Sequence, residues 1–224
     1  MTPLEQLRAG RLGRRLIQLM VGLILFGVSL ALLLRAGLGL EPWGVLSYGL
    51  TLHLPLSYGV MSIAVSFVVL LLWIPLRQWP GVGTLLNAVV IGVVIDLTLA
   101  VVPQADALWL QLVYLFVGVV GNGIAGAMYI GSQLGPGARD GLMTGLARRT
   151  GWSIRLVRTL IEVSVVALGW ALGGTVGVGT VLYALLIGPI VQLFLPMLTV
   201  RVHPPGHPKD EVVATTDVDQ AEAY

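Results

Sequence analysis

Shifted by 96 residues, the sequence matches itself without a gap from Leu16/Leu112 to Leu99/Leu195. Gly22/Gly118, Gly27/Gly123, Leu38-Gly39/Leu134-Gly135, Leu46/Leu142, Gly49-Leu50/Gly145-Leu146 and Ser57/Ser153 coincide. Gly-Val-Gly-Thr stands at 81–84 and again at 177–180, followed by Ile91-Gly92 and Ile187-Gly188. Apolar segments share leucines by chance. A four-residue identity and so many glycines in one register indicate an internal duplication.

Each copy carries three apolar runs, near Leu16–Leu34, Tyr58–Leu76 and Val82–Val102 in the first and Leu108–Ile130, Leu156–Leu172 and Val178–Thr199 in the second. Each approaches the roughly 20 residues a bilayer-crossing helix needs. The runs are continuous, not alternating, which excludes a membrane β-barrel. With 56% hydrophobic and 11% charged residues, the 224-residue chain is not a soluble domain. An odd number of crossings per copy turns the second copy upside down relative to the first. The expected fold is therefore all-α: a polytopic membrane protein with six transmembrane helices in a 3+3 inverted repeat. Residues 16–103 form repeat 1 and 104–201 repeat 2, after a cytoplasmic segment 1–15 and before a disordered, proline-rich then acidic tail, 202–224. The first run is long for a signal peptide and no A-x-A site follows it, so it reads as a retained helix.

Orientation follows from the arginines. With the N-terminus inside, six crossings place Arg8, Arg11, Arg14, Arg15, Arg77, Arg139, Arg148, Arg149, Arg155, Arg158, Arg201 and Lys209 on or near the inner side, and only Arg35 outside. The expectation is N-in and C-in, in a bacterial cytoplasmic membrane. The pI near 9.2 then needs no nucleic acid to explain it. There is no cysteine, hence no disulfide, thiolate metal site or cysteine nucleophile.

Both copies are interrupted after their first span. In the first, Gly37 and Gly39 precede Glu41-Pro42-Trp43. Proline suits a first helical turn, so a short helix is expected at 42–53, ending at Leu54-Pro55. At 1.5 Å per residue it is about 18 Å long, too short to cross. In the second, a short helix is expected at 138–149. Each is either a re-entrant half-helix or lies in the interface, and Trp43 and Tyr48 suit both. If the breaks dip inward, Trp43 and Arg139 line one central site; if both helices lie flat, about 30 Å separates them.

Gly-Ala-Arg-Asp-Gly-Leu-Met at 137–143, Glu-Pro-Trp at 41–43, the two Gly-Val-Gly-Thr copies, and Arg158 with Glu162 resemble the YczE-type bacterial integral membrane proteins, relatives of the YitT group. The likeness covers roughly residues 14–200. The family pattern has a proline directly before the arginine and a polar or acidic residue after Pro-Trp, where this chain has Ala138 and Gly44. The resemblance implies an integral membrane protein loosely grouped with small-molecule exporters, and supplies no substrate.

Two acids lie inside runs, Asp96 and Glu162, and a charge at mid-bilayer costs about 2.5–3.5 kcal/mol on insertion scales. Glu162 and Arg158 can pair at i,i+4, either as a structural ion pair or as a proton or cation site. Asp96 has no base on its own helix face; it is protonated, accepts bonds from a helix N-terminus, or binds a cation. Arg139-Asp140 either caps the second short helix or offers Arg139 as a bidentate anion holder. Asn87 and Asn122 read as interhelical hydrogen-bonding groups, and Gly118, Gly121, Gly123 and Gly126 as a close-packing stripe. The tryptophans at 43, 73, 79, 109, 152 and 170 suit interfacial belts. His203 and His207 read as part of a solvated tail, not as metal ligands. No nucleophile constellation, zinc spacing or phosphate loop is present, so no catalysis, metal or cofactor is expected.

The leading reading is a small-molecule transporter, an exporter coupled to protons or cations. The candidate site residues are Glu162, Arg158, Asp96, Arg139, Asp140, Trp43, Glu41, Tyr48, Asn87 and Asn122. A non-transporting assembly or scaffold protein for a biosynthetic or signalling complex is the alternative. The expected partners are the bilayer and a small-molecule substrate; a homodimer is left open.

Overall fold

Apolar runs in lipid must satisfy their own backbone, which favours helices, and the computed structural model is built of helices joined by short connections across residues 10–202. It describes those residues and residue 6. The expected tail from 203 on, with His203, His207 and Lys209, lies outside the described residues, as does Arg8. The helices are α1 (Leu12–Ala36), α2 (Pro42–Thr51), α3 (Tyr58–Leu76), α4 (Val82–Val101), α5 (Leu108–Gly131), α6 (Ala138–Thr150), α7 (Ile154–Ala171) and α8 (Val178–Leu198). No strand occurs among the described residues.

Five of them, α1, α3, α4, α5 and α8, are long and apolar enough to cross a membrane. The remaining expected run, Leu156–Leu172, falls in α7. It forms as an 18-residue helix but carries Arg155, Arg158 and Glu162, too many charges for an ordinary span. The short helices stop where local chemistry stops them. Ser57 and Ser153, 96 residues apart, each cap the following helix by accepting from Val60 N and Leu156 N.

Helix α1 is the centre. Its Leu19, Leu23, Leu30 and Leu33 are buried against α5 and α4, and α5 in turn packs on α8. Around this core, α2 lies on α7 and α6 on α3. Outward, side chains such as Phe116 (68% exposed) and Leu185 (65% exposed) form an apolar exterior suited to lipid.

Contacts recur in exchanged pairs at the 96-residue offset. Gly83 N donates to Leu134 O, and Gly179 N to Leu38 O, both at 2.8 Å. Thr84 and Thr180 accept from Gly81 N and Gly177 N, fixing the starts of α4 and α8. Gly39 (φ +115°) and Gly135 (φ +118°) hold the matching left-handed turns. A Cβ on Gly39 would stand 2.6 Å from Gly177 N, and one on Gly135 3.0 Å from Thr84 Oγ1. Only glycine meets both demands.

One pair of contacts is not exchanged. Helix α3 lies on α4, where Gly59 meets the carbonyl of Gly92. The residue equivalent to Gly59 is Arg155, and α7 makes no comparable contact with α8.

The connections gather at two opposite ends. At one, Ala105 N donates to Arg35 O and Leu40 N to Thr175 O. At the other, Val200 N donates to Gly131 O and Arg15 closes the core. Arg15, expected as a topology determinant, is wholly buried. Its Nε donates to Ser132 O at 2.8 Å and its Nη2 to Gln133 O at 2.6 Å, while Gln18 Nε2 donates to Met128 O and Leu198 O. Together they satisfy carbonyls that helix C-termini leave unpaired. Arg15→Met should therefore strand the carbonyls of Ser132 and Gln133 and lower stability by about 1–3 kcal/mol for each, measured as a fall in unfolding temperature in detergent; a shift within error would show the clasp to be dispensable.

Candidate functional site

The two short helices point their N-termini at each other. Proline at the first position of α2 and Gly137 at the cap of α6 set the entries. Arg139 Cζ stacks 5.2 Å from the ring centroid of Trp43, and Arg139 Nη1 lies 3.6 Å from Glu41 Oε1. Of the two arrangements left open by the sequence, helices lying flat on opposite surfaces about 30 Å apart are incompatible with that contact.

Around this meeting point is a cavity of about 90 Å³, room for several waters. Its lining is organised by the 96-residue offset: Phe26/Asn122, Glu41/Gly137, Pro42/Ala138, Trp43/Arg139, Ser62/Arg158, Ser66/Glu162, Asn87/Tyr183 and Ile91/Ile187 all face it. Ile91 and Ile187 sit near the middles of α4 and α8, so the cavity lies at mid-height of the core.

Arg158 Nε and Glu162 Oε1 form the i,i+4 ion pair at 2.9 Å. Tyr183 Oη donates to Asn122 Oδ1 at 2.7 Å, an interhelical bond from α8 to α5, and Tyr129 Oη donates to Asp140 Oδ2. Three carboxylates (Glu41, Asp140, Glu162) thus face two guanidiniums (Arg139, Arg158).

Several polar atoms remain unpaired. Glu41 is 2% exposed, and neither of its carboxylate oxygens accepts a hydrogen bond; Trp43 Nε1 and Asn122 Nδ2 donate none. Leaving such buried groups unmade costs about 1–3 kcal/mol each, and here they line one cavity. Glu41 sits in the connection before α2, outside the crossing helices. Burial pushes its carboxyl up to about 7, against the opposing pull of Arg139. The departure at Gly44 has a reason: a Cβ there would collide with Glu41 Oε2 and lie 2.6 Å from Tyr58 Oη.

Glu162, Arg158, Arg139, Asp140, Trp43, Glu41, Asn87 and Asn122 therefore meet in one cavity. Asp96 does not. It accepts from Ser57 Oγ and from Gly59 N at 2.8 Å, capping the start of α3, because Gly59 leaves room for the carboxylate. Tyr48 packs against the core instead. Trp73 is no interfacial anchor: it is 1% exposed, its ring lies over Gly141, and its Nε1 donates to Ala138 O at 2.9 Å. Trp79, Trp109, Trp152 and Trp170 are exposed. Sequence reasoning missed Ser62, Ser66 and Tyr183; each is the 96-residue partner of a residue it did single out.

Fold and site together define a helical integral membrane protein with a buried polar cavity between two matched halves. The chain belongs to a family of unknown function, DUF6198, whose model matches residues 13–196. It is similar to an uncharacterized protein of Haemophilus influenzae, 39% identical over 187 residues, covering 84% of this chain and 86% of the relative. It is also similar to the uncharacterized membrane protein YczE of Bacillus subtilis, 37% identical over 178 residues, covering 78% and 82%. A third relative, the uncharacterized protein YyaS of Bacillus subtilis, is 28% identical over 185 residues, covering 80% and 90%. No solved structure matches.

Proposed function

We propose that this protein is a secondary transporter of the bacterial cytoplasmic membrane, exporting a small molecule in exchange for protons bound at Glu41. The observation that carries the reading is the cavity itself: a buried carboxylate held by no short hydrogen bond, 3.6 Å from an arginine of the other half. In the proposed arrangement α7 is the sixth crossing and the halves form a 3+3 inverted repeat, with α2 and α6 as re-entrant half-helices. The exchanged contacts support it, since a two-fold axis makes residue i meet j and j's equivalent meet i's. The charges of α7 are then tolerable because Arg158 and Glu162 face a polar cavity and pair with each other. The packed α3/α4 and the separated α7/α8 are what alternating access would present in one of its end states.

Profiling metabolites in cells and medium, with and without the protein, tests the function. A compound that redistributes and is then taken up by proteoliposomes supports transport; no redistribution in either sense favours the scaffold reading. Orientation has its own test. Since the chain has no cysteine, single cysteines at His53 and Asp106 should label from outside the cell, and at Trp79 and Thr150 only after permeabilisation. The reverse pattern would sink N-in, C-in.

A further inference from the structure

A second hollow adjoins the polar cavity. Helices α3 and α7 do not pack on one another, and between them runs a crevice of about 740 Å³, within the roughly 300–1,000 Å³ of sites that hold small ligands. Its walls are apolar: Met61 and Val65 from α3, Val157 and Ile161 from α7. Its side facing away from the core is open, where Val68 is 59% exposed. Trp43 lines both the crevice and the polar cavity, and Arg139 stacks on that ring. The two compartments therefore meet at one side chain. One is apolar and open outward; the other holds three carboxylates against two guanidiniums, with Glu41 Oε1 facing Arg139 Nη1 at 3.6 Å and neither oxygen held by a short hydrogen bond.

We infer that the two compartments form one site for an alkyl-chain amphiphile with an ammonium head, the chain lying in the crevice and the head beside Glu41. An ammonium supplies three donors, balances the excess carboxylate, and finds acceptors on Glu41 without displacing Arg139. The hydrocarbon would otherwise leave the crevice to be filled by lipid tails. Entry is lateral, from the membrane past Trp43. The inference deepens the transport reading and rests on it only for the purpose of the site.

The test uses the full chain in lipid nanodiscs, with Leu72→Cys at the crevice labelled by an environment-sensitive fluorophore and titrated with four probes: decylamine, butylamine, decanol and decyl phosphate. Decylamine should bind at least a hundredfold more tightly than butylamine and at least tenfold more tightly than decanol or decyl phosphate. Filling the crevice by Val68→Phe with Ser164→Phe, both at open positions, should remove most of the chain-length gain. Glu41→Gln should weaken decylamine at least tenfold and leave decanol unchanged. A chain-length gain equal in the native and filled proteins would reduce the effect to membrane partitioning and overturn the crevice assignment. Decyl phosphate binding more tightly than decylamine would overturn the head assignment. Decylamine binding without flux in proteoliposomes would instead overturn transport and leave this site standing.

Discussion

Glu41→Gln should abolish pH-driven exchange in proteoliposomes while leaving a folded protein in the membrane. Glutamine keeps the shape that Gly44 accommodates, so the change removes charge and proton binding without adding volume. Breaking a buried ion pair commonly costs about 3–5 kcal/mol. Here the cost should be smaller, because the Arg139 side chain is 22% exposed and keeps its stack on Trp43. The sign of the pH effect follows from the raised carboxyl. Below about pH 7 the native side chain holds its proton, and above it the carboxylate pairs with Arg139; exchange that loads and unloads this proton needs both forms. The native protein should show a carboxyl infrared band that appears as pH falls through 7, and the variant should lack it. Glu162→Gln should lower flux yet keep that titration, since Glu162 is a quarter exposed and paired along its own helix. Glu41→Gln protein that retained native pH-dependent flux would remove Glu41 from the mechanism.

Much of this was legible in the sequence, and the reason is the duplication. A gapless offset states which positions are equivalent, and the glycine and proline breaks state where the short helices stand. The sequence leaves open whether Trp43 meets Arg139 or lies far from it, and the contact decides for the meeting. The offset does not say which residues face each other across the axis. Asp96 looked like a candidate because it is an acid in an apolar run; only the neighbouring helix reveals Gly59 making room for it. By residue type alone, Trp73 reads as an interfacial anchor and Arg15 as a topology signal. Each is claimed by backbone carbonyls of the second copy, at Ala138 and at Ser132 and Gln133. Long-range hydrogen bonding to backbone carbonyls leaves no local trace in a sequence.

The non-exchanged contact gives the second large effect. Gly59→Ala should separate α3 from α4 and cost about 3 kcal/mol or more. A Cβ at Gly59 would lie well inside contact distance of the Gly92 carbonyl oxygen and 2.5 Å from Asp96 Cγ. The first obstacle is backbone, so no rotamer change relieves it. Forcing such overlap in a packed core typically costs about 1–3 kcal/mol. The shift would also pull Gly59 N from the Asp96 carboxylate, a charged hydrogen bond worth about 1.5–3 kcal/mol. Gly13→Ala is the control: that position has nothing within 4 Å of a Cβ, and alanine there should leave stability unchanged or raise it slightly. Thermal unfolding in detergent reads the first effect, and the distance between spin labels at Phe67 on α3 and Val93 on α4, both exposed, reads the separation. If the duplicated halves trade open and closed states, a milder push at this contact moves α3 toward the arrangement α7 already has beside α8. Gly59→Ala protein as stable as native, with the Phe67–Val93 label distance unchanged, would show that the glycine pair does not hold the first half closed.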